Sequence, residues 1–258
     1  MAKVETERIG HSFKVSINRP EVRNCVDGET AQLLFEAVKE FSRDSSLDIL
    51  ILTGAGDIAF CSGADLKNTE SLVTRPGSGK SGPMGISRIT HVKKTTIAAV
   101  NGYCLAGGLE LACWCDFRIA SSNATFGHPG RRWGIPLIDG GTQRFPKIVG
   151  LSNALYLIET GISIDAERAL AMGLVQEVVP KGKAFARSLE LAEIMSSYPQ
   201  TSLLNDRQAT YKGLSLALDK GIKLEANIHK SSLASPEIAE KLRQYAEGRR
   251  PKIPRPHK

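Results

Sequence analysis

Two stretches of this chain follow one plan: an apolar strand ends in a run of small residues and opens into a helix. That repetition limits the fold more than any other feature. In the first, Asp48-Ile-Leu-Ile-Leu-Thr53 is closed by Gly54-Ala-Gly56, and Phe60-Cys-Ser-Gly-Ala-Asp-Leu-Lys67 leads into a short helix. In the second, Thr96-Ile-Ala-Ala-Val100 is a strand, Asn101 to Gly108 a glycine-rich turn and Leu109 to Trp114 a helix, before the next strand at Asp116-Phe-Arg-Ile-Ala120. Strand–turn–helix units recurring in this way call for an α/β fold built on a parallel sheet.

The flanks extend the plan. Residues 12–18 alternate as a strand ending at Asn18-Arg-Pro20, and Asp27 or Thr30 caps a helix whose apolar positions (Ala31, Leu33, Leu34, Ala37, Val38, Phe41) fall at helical spacing. Residues 74–83 are the most loop-like and mobile in composition. Beyond Gly140-Gly141 the pattern is helical at 142–149, 151–160, 165–172 and 183–197, with further helices over 201–246 and a start signal at Ser235-Pro-Glu. The expected division is a sheet-based core over 1–200 and a helical region over 201–258.

Composition excludes several classes of function. A 258-residue chain buries roughly three quarters of its extended surface, so its core needs no disulfides. The five cysteines (25, 61, 104, 113, 115) lack metal-ligand spacing and read as reduced, mostly buried thiols, so neither a metal nor a cofactor is expected. No apolar run approaches the ~20 residues of a membrane span. The acidic start, Met1-Ala-Lys-Val-Glu-Thr-Glu, is neither a secretory nor a transit peptide, which makes the cytoplasm the expected compartment. The net charge of +7 clusters only at the end (Arg243, Arg249, Arg250, Lys252, Arg255, Lys258), as a solvated tail would. A ligand carrying several phosphates is the next reading. Nucleic acid is not expected, because there is no aromatic interleaving and no recognised motif.

The two small-residue turns carry the chemistry. Each opens a helix whose first N–H groups lack intrahelical partners and lie at the positive end of its dipole. Small residues let a ligand carbonyl approach that backbone, and two such donors meeting at one oxygen make an oxyanion hole. Either turn alone is compatible with an ordinary tight-turn glycine. Glu110 is the first acid/base candidate. Its neighbours are apolar (Leu109, Leu111, Ala112, Cys113), so an acid there needs a reason beyond solubility.

Taken together, Phe60-Cys-Ser-Gly-Ala-Asp-Leu-Lys67, Ile97-Ala-Ala-Val-Asn-Gly-Tyr-Cys-Leu-Ala-Gly-Gly-Leu-Glu-Leu-Ala112 and Gly140-Gly-Thr-Gln-Arg144 resemble the enoyl-CoA hydratase (crotonase) family. So do Asn18-Arg-Pro-Glu-Val-Arg-Asn24 and Ala166-Glu-Arg-Ala-Leu-Ala-Met-Gly-Leu-Val175. The resemblance implies a ββα spiral core with a helical C-terminal trimerisation region, assembled as a trimer or a dimer of trimers. It implies a coenzyme A thioester as substrate, in fatty-acyl metabolism, with its carbonyl between the N–H groups of Ala64 and Gly107. Arg23 and the segment Ala64, Asp65, Leu66 and Lys67 are the implied contacts of the phosphorylated end, and Asp65 is also the expected cap of the helix it opens.

Glu110 lies three residues after Gly107, on the same helix face, where a carboxylate can activate water for addition to a conjugated thioester. Hydratases of this type carry a second glutamate in a Phe-Gly-x-x-Glu segment; here that segment reads Phe126-Gly-His-Pro-Gly130, and Gly130 transfers no proton. Three readings follow: Glu110 acts alone, or Asp139 or His128 substitutes, or the chain binds acyl-CoA and catalyses little. Enoyl-CoA hydration is the leading activity, with isomerase, hydrolase or decarboxylase chemistry as the alternatives on the same platform. The plainer reading of Asp139 is an N-cap, and that of His128 a turn residue. Arg131 and Arg132 read as exposed charge and Trp133 as packing.

Overall fold

The computed structural model describes residues 2–90 and 92–249. The apolar runs become a six-stranded sheet. Its strands are β1 (Val4–Ile9), β2 (Ser12–Ile17), β3 (Ile49–Gly54), β5 (Thr95–Val100), β7 (Phe117–Ser121) and β10 (Glu177–Val179), adjacent in that order. Only β1 runs antiparallel to its neighbour; β2 to β10 are parallel, with Ile51 opposite Ile97 and Ala99 opposite Ile119. Every residue of β3 and β5 is buried, as parallel strands covered on both faces require. The edge strand β1 carries Glu5, Glu7 and Arg8 outward, which blunts edge-to-edge pairing.

A second sheet, absent from the sequence reading, is made of three-residue strands: β4 (Ala59–Cys61), β6 (Tyr103–Leu105), β8 (Thr125–Gly127) and β9 (Ser163–Asp165). After β3, β5 and β7 the chain crosses at once into this sheet, so each winding lays one strand in each sheet. This is the expected ββα spiral.

Helices fill the windings. α1 (Gly28–Arg43) is capped by Asp27, whose side chain accepts from the Thr30 amide, and it buries Ala31, Leu34, Val38 and Phe41 along one face. α2 (Thr69–Thr74) and α3 (Ser78–Ser81) follow β4, α4 (Gly107–Trp114) follows β6, and α5 (Gly141–Val149), α6 (Leu151–Thr160), α7 (Ala166–Ala171) and α8 (Ala184–Ser196) complete the series. The loop-like segment 74–83 is not loose. Arg75 is buried and donates to Gln32 Oε1 (3.0 Å), Ser81 Oγ (2.7 Å) and the Gly82 carbonyl (2.9 Å), gathering the stretch around one guanidinium.

The chain divides into two compact units, one ending at Glu190 and the other beginning at Leu191. The second unit holds α9 (Gln200–Gly213), α10 (Leu218–Leu233) and α11 (Pro236–Ala246), the last opened by Ser235 accepting from Glu237 N. Asn205 of α9 donates to Ser231 and Ser232 of α10. In the basic C-terminal cluster Arg243 pairs with Glu240 and Glu247, and Arg249 with Glu247. Arg250, Lys252, Arg255 and Lys258 lie outside the described residues. All five cysteines are free thiols, four of them buried. Among the described residues no helix is long and apolar enough to cross a membrane.

Candidate active site

The short strands bring the two small-residue turns together. β4 and β6 pair in parallel, Ala59 opposite Tyr103 and Cys61 opposite Cys104. At the end of β4 the turn is held by its backbone: Ser62 N donates to Arg23 O (3.1 Å), Val26 N to Gly63 O (2.9 Å) and Asp65 N to Val26 O (2.8 Å). Ala64 lies between these bonded positions, and its N–H has no acceptor among the described residues. Two buried amides brace the approach to this turn, since Asn24 and Asn101 both donate to Ala59 O (2.7 and 3.2 Å).

At the end of β6 the backbone turns sharply at Ala106, which has φ 49° and ψ −124°. A side chain is strained there by about 1–3 kcal/mol. The strain aims Gly107 as the first residue of α4, where its N–H has no intrahelical acceptor. A Cβ built on Gly63 would lie 3.1 Å from Gly107 N, so the Ala64 turn and the Gly107 turn are in contact. Gly108 allows this approach: a Cβ there would run into the Cys61 carbonyl.

Glu110 sits one turn further along α4 and is 2% exposed, so it is not a surface acid. Its Oε1 accepts from two backbone amides, Asp139 N at 3.0 Å and Gly141 N at 2.7 Å. Oε2 has no partner among the described residues. Burial pushes the pKa of Glu110 up to about 7; the Gly141 amide pulls the other way and the neighbouring Asp139 charge adds to the rise.

Asp139 is buried as well, but it is not a helix cap. The cap position of α5 is Gly140, in the left-handed region with φ 94°. The Asp139 carboxylate instead reaches back across the chain, where Oδ1 accepts from Met84 N (3.1 Å) and from Ser87 Oγ. Its pKa is raised by burial, against the Ser87 hydrogen bond. Arg144 joins the same two segments, donating to Asp139 O (3.0 Å) and Ser87 O (2.6 Å). Met84, Ser87 and Arg144 had no role in the sequence reading. Arg144 stands inside a quoted motif, whereas an isolated methionine and serine more than fifty positions from their partner (|i−j| 55 and 52) carry no local signal.

His128 is 1% exposed, and neither ring nitrogen forms a hydrogen bond. Burial lowers its pKa, with the Ile135 backbone near enough to oppose that shift. The ring borders Gly130: a Cβ there would lie 3.5 Å from His128 Cε1 and 3.4 Å from Ile135 Cβ, ordinary contact distances. A Cβ at position 130 therefore meets only ordinary contacts.

The other candidates surround the first turn. Arg23, in the left-handed region at φ 54°, places its guanidinium 5.1 Å from the Tyr103 ring centre. Asp65 caps no helix; it pairs with Arg19 at 2.9 Å and accepts from Lys67 N, while the following helix α2 is entered at Asn68. Leu66 and Lys67 are exposed. Arg131 and Arg132 are exposed, and so is Trp133, at 79%, where packing was expected. Among the described residues no group of three His, Cys, Asp or Glu side chains could hold a metal ion.

The arrangement sets the Ala64 and Gly107 turns in contact and, one helical turn from Gly107, holds a buried carboxylate whose pKa is raised to about 7. Residues 11–254 match the family described as enoyl-CoA hydratase/isomerase. The chain is 34% identical over 247 residues to the short-chain-enoyl-CoA hydratase of Clostridium acetobutylicum, spanning 95% of this chain and 94% of that protein. It is 34% identical to the crotonyl-CoA hydratase of Syntrophomonas wolfei, over 91% of each. Among solved structures, an enoyl-CoA hydratase from Mycobacterium tuberculosis superposes with a TM-score of 0.91 at 29% identity, over 98% of both chains.

Proposed function

The chain belongs to the enoyl-CoA hydratase/isomerase family, and on that premise we propose that it hydrates a 2-enoyl-CoA thioester, with Ala64 and Gly107 holding the thioester oxygen and Glu110 moving the proton. The observation that carries this reading is the Glu110 carboxylate, fixed through Oε1 by two amides beside the paired donor turns. The thioester oxygen accepts both N–H groups, which draws electrons out of the conjugated double bond. Water adds its oxygen to the β-carbon as Glu110 Oε2 takes the proton, and the electron pair passes to the thioester oxygen as an enolate. The same carboxyl then returns that proton to the α-carbon. A pKa near 7 suits a group that serves as base and then as acid at neutral pH.

Gly130 removes the second acid of the family pattern, and the buried ring of His128, whose nitrogens meet no hydrogen-bond partner among the described residues, speaks against its replacing that acid. One carboxylate working in both directions is the economical account. Arg23, Asp65, Leu66 and Lys67 are the proposed contacts of the coenzyme A end, with Asp65 acting through its ion pair to Arg19. The family reading carries with it a place in fatty-acyl metabolism and assembly as a trimer or a dimer of trimers. Exposed Leu218, Leu233, Leu242 and Tyr245 in the second unit support self-association. The five reduced thiols support a cytoplasmic setting.

The test is direct. Purified protein mixed with crotonyl-CoA should bleach the conjugated-enone absorbance, and Glu110→Gln should slow that by roughly 10²–10⁴-fold. Micromolar binding of crotonyl-CoA with no bleaching at all would reduce the protein to a binder.

A further inference from the structure

We propose that Ser87 and Asp139 are positioning residues that couple the Glu110 carboxylate to the Gly107 amide, and that Asp139 transfers no proton itself. The kinetic part of this proposal rests on the hydratase reading above. Among the described residues Glu110 has no side-chain hydrogen-bond partner; the two donors on Oε1 are backbone amides of the turn 139–141. Wherever that turn sits, the carboxylate follows.

The turn is in turn held from the segment 82–88. Asp139 Oδ1 receives both Met84 N and Ser87 Oγ, and Arg144 bridges the Asp139 and Ser87 carbonyls from the other side. Arg88 adds a bond to Ile138 O at 3.2 Å. The same segment reaches the other half of the site. A Cβ built on Gly107 would lie 3.0 Å from Met84 Sδ and 3.1 Å from Met84 Cε, so the thioether covers the residue that supplies the second amide. The path therefore closes: Glu110 to the turn 139–141, to Asp139 and Ser87, to Met84, to Gly107, and back along one turn of α4. Gly82 shows how little slack this segment has, because at φ 87° a Cβ would run into Ser87 Oγ and lie 2.9 Å from Asp139 Oδ1.

The coupling matters because reacting groups misplaced by about 1 Å lose roughly 10²-fold in rate. Such a loss appears in the transition state, hence in kcat with KM nearly unchanged. Asp139→Ala should lower kcat by about 10²-fold and move KM less than about threefold. Asp139→Asn keeps an oxygen at Oδ1 and should stay within about fivefold of wild type, since it needs only to accept the same two bonds. Ser87→Ala should lower kcat by about tenfold, and Ser87→Ala/Asp139→Ala should be no worse than Asp139→Ala alone, because the two residues act as one unit. Amide hydrogen exchange supplies a readout independent of turnover: residues 83–88 and 106–110 should lose protection together in Asp139→Ala and keep it in Asp139→Asn.

An Asp139→Asn variant as inactive as Asp139→Ala, or an Asp139→Ala variant with wild-type kcat and unchanged exchange, overturns the proposal. If Asp139→Ala does not fold, the contrast between Ser87→Ala and Asp139→Asn decides in the same sense. If wild-type protein hydrates no enoyl-CoA, the hydratase reading falls, while the exchange comparison still decides the positioning role.

Discussion

Burial lifts Glu110 to a pKa of about 7 from 4.5, so between those values the folded state holds a proton that the unfolded chain has released. The sign follows: ionised Glu110 destabilises the fold above pH 7, and the penalty fades as the pH falls towards 5. Glu110→Gln keeps the acceptor oxygen for Asp139 N and Gly141 N and removes the charge, which is worth ~3 kcal/mol at pH 8. The inactive variant should therefore melt several degrees above wild type at pH 8, with the gap closing by pH 5; scanning calorimetry across that range checks it. Wild-type kcat/KM should rise with pH to a plateau past about 7, following the free carboxylate. A Cβ at position 130 meets Ile135 and His128 only at ordinary contact distance, and Gly130→Glu should raise the rate of hydration by roughly tenfold or more by restoring a second acid, measured with crotonyl-CoA. Glu110 was legible in the sequence because an acid flanked by Leu109 and Leu111 has few bland explanations. Of the two readings of Asp139 the cap fails, because the carboxylate turns to Met84 and Ser87 far upstream, partners that a local pattern before a glycine pair cannot show.

The elements that could be read were those long enough to show a period. β3, β5 and β7 announced themselves as apolar runs, and α1, α5 and α6 as amphipathic stripes. β4, β6, β8 and β9 did not, because three residues hold barely one alternation and the turn residues around them dominate the composition. Those strands place the donor turns side by side, so the part of the fold that builds the site was the part hidden from sequence. Edge strand β1 was missed because its charged residues mask the strand period. The segment 74–83 was misjudged for a different reason: its glycines and serines signal a loop, while a single buried arginine organises it. Arg75→Ala removes donors to Gln32, Ser81 and Gly82, and hydrogen bonds to a charged group are worth about 1.5–3 kcal/mol each. Limited trypsin digestion should then cut at Lys80 in the variant well before it cuts wild type.

At the scale of the whole molecule the second unit exposes apolar side chains that the proposed self-association would cover. Leu218 and Leu233 are each 80% exposed on α10, and Leu242 and Tyr245 stand exposed on α11. Light scattering should give three or six times the mass of 27.9 kDa, and Leu218→Lys with Leu242→Lys should shift it towards one. The winding of the first unit has a consequence for how the protein is made. The larger sheet is finished only by β10 at Val179 and the smaller only by β9 at Asp165, so neither is complete until the chain as far as those strands has left the ribosome. Until then both sheets present open edges in a half-built polypeptide, at elongation speeds of about 5–20 residues per second. Those edges thus stay unpaired for about ten seconds or longer, and a stop codon anywhere before β9 leaves fragments with two unfinished sheets rather than one completed subdomain.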